Sequence, residues 1–149
     1  MPPEWKAELI AAFTDAVRRG RDPAGPEKAA EVVREYERQY GEIKTKTKLG
    51  RSKAYPRLLL MAYALGRDGR PFAFANHRIG TCVGLNGKTV RSFTHIAIRH
   101  GYFSLVRDGV PGRDGLSTWF RLHMKNVEQE LGLDGLLWPF KRVVMTLMR

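Results

Sequence analysis

The chain has 149 residues, 43% of them hydrophobic, and 26 lysines and arginines against 15 acids, a formal charge of +11. That length suits about one domain whose core needs no disulfide staples. No apolar run approaches about 18 residues, which excludes a membrane-spanning helix. Residues 1–10 carry Glu4, Lys6 and Glu8 and lack the apolar stretch of a secretory signal, and the single Cys82 rules out an internal disulfide or a multi-cysteine zinc site. A cytoplasmic location is expected.

Two helices are expected first. Pro2-Pro3-Glu4 opens one, and Trp5, Leu9, Ala12, Phe13, Ala16 and Val17 form an apolar stripe at three- and four-residue steps. Gly20 to Gly25 stops it. Residues 26–40 form the second, with Ala29, Val32, Val33, Tyr36 and Tyr40 on one side, so residues 1–40 predict an N-terminal helical hairpin. Residues 41–56 predict a basic linker or arm. Lys44, Lys46, Lys48, Arg51 and Lys53 follow one another there with no intervening acid and no apolar stripe. Such a run suits phosphate contact, with a solvated loop as the plainer reading.

Pro56 opens a third helix over 57–65, apolar nearly all round and therefore central to a core. Residues 71–74 suit a short strand and 76–83 a short helix stopped by Gly84. Asn86 caps a further helix over 87–99, ended by His100-Gly101. Residues 102–107 alternate as a strand, and a Gly/Pro/Asp-rich turn over 108–115 leads to a second strand over 116–122. A C-terminal helical tail, 124–149, follows, with residues 127–131 continuing off the last strand. It carries a wide stripe including Leu133, Leu136, Leu137, Phe140, Val143, Val144, Leu147 and Met148, with Pro139 in the first turn of the last helix. The fold class is mainly α with a small β-hairpin.

Charge is unevenly spread. Residues 1–40 are net −1, residues 41–57 net +5, residues 58–123 net +6 and residues 124–149 net +1. The excess lies in the middle of the chain, where a polyanion would dock. A membrane surface is a poorer match, because the basic middle lacks a large amphipathic helix with lysine-rich flanks.

Within 57–123, the order helix, strand, helix, turn, helix, hairpin carries Ile79-Gly80-x-x-x-Gly84-Leu85-Asn86-x-x-Thr89-Val90, then Gly101-Tyr102-Phe103 and a glycine-rich turn. This segment resembles the winged helix-turn-helix DNA-binding family, found among bacterial repressors and replication proteins of plasmids and phages. It departs from the family pattern at Gly80, where alanine is usual, and at Ala97, where leucine is common. The resemblance implies a winged helix core, with 87–99 as the recognition helix.

The residues of that helix agree independently. Val90, Phe93, Thr94, Ala97 and Ile98 form the face expected to pack inward, while Lys88, Arg91, Ser92, His95 and Arg99 fall opposite. Those five groups suit major-groove and phosphate contacts, with Thr89 beside them. No acid occurs between Asp68 and Asp108, whereas an ordinary solvated face mixes signs. Arg107 and Arg113 flank the hairpin turn and extend the expected DNA contacts to the wing, with a plain turn as the alternative.

Other chemistry fares poorly. Gly84-Leu-Asn-Gly-Lys-Thr89 resembles part of a phosphate-cradling loop, but the glycine required five residues before Gly87 is Cys82. His77, His95, His100, His123 and Cys82 share no zinc-type spacing. His77 and His95 suit polar contacts and His100 a helix C-terminus. No nucleophile–base or paired-carboxylate pattern emerges, and no enzyme, cofactor or metal is expected. The expected function is sequence-specific binding of double-stranded DNA, as a transcriptional regulator or as a plasmid or phage replication or maintenance factor. A protein-interaction scaffold and an RNA-binding protein are the alternatives. The tail stripe, through Leu133, Leu136, Leu137, Phe140, Val144 and Leu147, serves either intramolecular packing or a homodimer.

Overall fold

A computed structural model describes residues 25–46, 53–107, 118–133 and 139–149, with Arg107 described by its backbone alone. The expected first helix, Lys48, Arg51, Arg113, Leu136 and Leu137 lie outside these residues. Helix α1 spans Gly25–Tyr40 and buries Ala29, Ala30, Val32, Val33 and Tyr36 along one side. Its solvent face is tied by the ion pairs Glu31–Arg34 and Glu35–Arg38, each one turn apart. Gly41, at φ +82°, ends it in the left-handed conformation that glycine tolerates.

Helix α2, Ala54–Gly66, starts three residues earlier than the sequence suggests. Pro56 sits inside its first turn, where the missing N–H has no helical partner to lose. Leu58 to Ala64 are all buried, as an all-round apolar helix requires. This helix packs against α1 and against the elements that follow.

Those elements are β1 (Phe72–Ala73), α3 (Asn76–Val83), α4 (Gly87–Arg99), β2 (Phe103–Arg107), β3 (Trp119–Leu122), α5 (Met124–Leu131) and α6 (Phe140–Leu147). The strands make one antiparallel sheet in the order β1-β3-β2, so the expected hairpin gains a third strand from a distant part of the chain. Phe72 faces Phe120, and Phe103 faces Leu122. A bulge between Leu105 and Arg107 interrupts the second pairing and leaves Leu105 and Val106 both 47% exposed.

Aromatic rings lock α4 onto this sheet. Phe103 meets Phe93 edge-on at 5.6 Å and Phe72 at 5.5 Å, and packs against Phe120 at 5.5 Å. Such pairs add about 0.5–1.5 kcal/mol each beyond burial. At the other end of the molecule, Tyr36 meets Phe140 edge-on at 5.2 Å and joins α1 to α6.

The described part of the tail packs on its own chain. Leu133, Phe140 and Val144 are fully buried, and Leu147 lies against the same cluster that holds α1, α2 and the sheet. Helix α5 begins at Met124, directly after β3, rather than at residue 127. The arm also departs from expectation. Ile43 is buried at 4% exposure, and the Lys46 N–H donates to the Glu130 carbonyl at 3.0 Å. One apolar residue was too little to register as a stripe, yet it anchors the start of the arm in the core. Among the described residues no helix is long and apolar enough to cross a membrane.

Candidate nucleic-acid interface

Local rules explain how α4 is set. Helix α3 stops at Gly84, φ +72°, whose N–H returns to the Gly80 carbonyl, and the Leu85 N–H donates to the same carbonyl at 2.8 Å. A Cβ on Gly80 would collide with the Leu85 carbonyl oxygen, so glycine permits the chain to close tightly here. Asn86 then caps α4, its side-chain oxygen accepting from the Thr89 N–H at 2.8 Å and from the Thr89 hydroxyl at 3.0 Å.

The exposed face of α4 carries Lys88, Arg91, Ser92, His95 and Arg99, all open to solvent. Val90, Phe93, Thr94 and Ala97 are buried behind them. Ile98 departs from the expected inward set. It is 38% exposed, while Ile96 packs on the core instead. The two isoleucines lie on opposite flanks of the buried stripe, so neighbouring elements decide which is covered. Thr89 is half-buried and its hydroxyl proton is committed to Asn86, which leaves only its oxygen to accept a bond.

Lys88, Arg91, His95 and Arg99 make no ion pair among the described residues. That differs from Arg78 on α3, which pairs with Glu27 at 3.3 Å, and from Arg57, which lies 3.3 Å from Glu37. Lysines and arginines that no described acid neutralises can exchange counterions for phosphates. Lys44, Lys46 and Lys53 are exposed along the arm. The Arg107 backbone sits opposite Trp119 at the end of β2.

Two features escaped the sequence reading. Arg121 is exposed on β3 between buried Phe120 and Leu122, a position that strand alternation alone would have flagged. The second is a groove of about 420 Å³ between α4 and the sheet, lined from α4 by Arg91, His95 and Ile98, which share one helix stripe, and from β2 and β3 by Leu105 and Phe120. No local signal points to it, because its walls meet only through the sheet pairing.

His77, His100 and His123 are exposed, and Cys82 is half-buried. His100 caps α4 and stacks on Tyr102 with ring centroids 5.8 Å apart, and His123 Nε2 lies 2.5 Å from the Ser104 hydroxyl. Burial, followed by the Glu27 carboxylate, pushes the half-buried Cys82 thiol up, away from the thiolate that ligation or attack requires. Comparison with known proteins finds no matching family model, no matching curated protein and no matching solved structure.

Proposed function

We propose that this chain is a winged helix-turn-helix protein that binds double-stranded DNA, with α4 entering the major groove. The observation that carries the reading is the α4 face. Lys88, Arg91, Ser92, His95 and Arg99 are all exposed, and no acid occurs from Asp68 to Asp108. The strand order β1-β3-β2, with β2 in contact with α4, supports the same reading, since a hairpin wing beside α4 is compatible with it. Arginine and lysine at such positions pair with guanine O6 and N7, and serine serves several bases. Exposed Lys44, Lys46 and Lys53 are candidates for further phosphate contacts.

Control of transcription, or replication and maintenance of a plasmid or phage, are the processes such binding serves, in the cytoplasm. Two-fold binding to paired half-sites through the tail stripe would have to use residues of it other than Leu133, Phe140 and Val144. Leu133, Phe140 and Val144 have no exposed area to give to a partner. The decisive experiment is selection of bound sequences from a random duplex pool, with binding repeated at low and high salt. Enrichment of a defined site, with affinity falling steeply in salt, is the expected outcome. Binding that ignores salt would sink the reading.

A further inference from the structure

The groove beside α4 is not accounted for by duplex binding. A paired backbone running past α4 needs cations, and Arg91 supplies one here, with the imidazole of His95 beside it as a hydrogen-bonding group. Beside them on the same α4 stripe stands Ile98, and from β2 comes Leu105, two large aliphatic side chains that are 38% and 47% exposed, with Phe120 also lining the groove. Apolar area of this kind does nothing for a phosphate, but it covers the face of a planar ring. The volume, about 420 Å³, falls in the range of small-ligand sites, about 300–1,000 Å³. Asn76 lines the same groove half-buried, and its amide makes no hydrogen bond among the described residues. An amide offers both a donor and an acceptor, which is what the edge of a base presents in return.

We propose that this groove holds one unpaired nucleotide, its phosphate on Arg91 and His95, its base on Ile98 and Leu105 and its edge toward Asn76. A base within a duplex is stacked on both faces and paired along its edge and cannot enter, whereas a bulged, terminal or extruded one can. The inference rests on the nucleic-acid reading above and adds that a duplex carrying an unpaired base is the better ligand. The same chemistry admits a free nucleoside monophosphate.

Fluorescence anisotropy on the full chain tests this with a fully paired duplex, the same duplex carrying one bulged thymidine, and thymidine monophosphate as competitor. The bulged duplex should bind about tenfold tighter, the scale of one stacked base. The double variant Ile98→Ala/Leu105→Ala changes only exposed side chains, and should lose that advantage while keeping its affinity for the paired duplex. Displacement of the bulged duplex alone by thymidine monophosphate would support the groove and add free nucleotides as a source. Equal binding of the two duplexes, or an advantage that survives the double variant, overturns the proposal and leaves the duplex reading standing. Should neither duplex bind, the duplex reading fails. The groove is then judged by methyl NMR shifts of Ile98 and Leu105 on adding thymidine monophosphate: shifts support it and their absence overturns it.

Discussion

Leu85 donates its N–H to the Gly80 carbonyl over 2.8 Å, and its own carbonyl oxygen closes onto Gly80 so tightly that no side-chain carbon fits between them. This contact sets how α3 delivers the chain to α4. Gly80→Ala should therefore destabilise the fold by about 1–3 kcal/mol, the usual cost of overpacking. The urea midpoint should drop with an unchanged slope. Gly87→Ala is the control, because its Cβ would meet only ordinary contacts at 3.7 Å and should leave the midpoint nearly unmoved. Equal midpoints for the two variants would show that the turn relaxes freely.

Asn86 holds Thr89 through both its backbone N–H and its hydroxyl. Asn86→Ala should cost about 0.5–2 kcal/mol, and Asn86→Asp should retain most of the stability, since a carboxylate caps as well. Thermal unfolding of the two variants side by side checks the cap against a simple loss of volume.

On the α4 face, Arg91→Ala should weaken binding to a preferred site by about 1–3 kcal/mol and cost less on random duplex. Equal losses on both would reassign Arg91 to phosphate contact.

The arm separates charge from anchorage. Replacing Lys44, Lys46 and Lys48 with Gln should flatten the slope of log K against log salt by up to about 2.7, at roughly 0.9 per phosphate contact. Stability should hardly change, because Lys44 and Lys46 are exposed. Ile43→Ala should do the reverse. It empties a buried site at 4% exposure and should cost about 2–5 kcal/mol, with the salt slope intact. An unaltered slope in the lysine variant would show that the arm does not reach the DNA.

Alkaline pH should weaken the fold through Tyr63. Burial, and then the Glu128 carboxylate, raise its phenol well above the ordinary value. The unfolded chain releases that proton near the ordinary value of about 10, while the folded chain keeps it. Stability is then fully present below about pH 10 and falls as pH rises beyond it. Tyr63→Phe should flatten this alkaline limb, read from urea midpoints across the pH series. A limb of unchanged steepness would assign the loss to other groups.

How much of this was legible in the sequence follows from the range of the forces involved. Helices α3 and α4 run over Asn76–Val83 and Gly87–Arg99, the spans that the glycine stop at Gly84 and the cap at Asn86 indicate. Capping, glycine stops and apolar period act within one or two turns, so a short stretch of sequence contains all the terms that decide them. The cationic face of α4 is legible for the same reason, since a 3.6-residue repeat assigns faces without knowledge of the partner element. The tertiary structure decided what depends on distant neighbours. It paired β1 with β3, covered Ile96 instead of Ile98, drew Ile43 into the core and turned Phe140 and Val144 onto α1 and its neighbours. Each of these is a choice among apolar residues of nearly equal hydrophobicity. Burial free energy follows the area removed from water and carries no label for which surface does the covering. The groove between Arg91 and Leu105 belongs to this second kind, because helix and strand come together only once the sheet has closed.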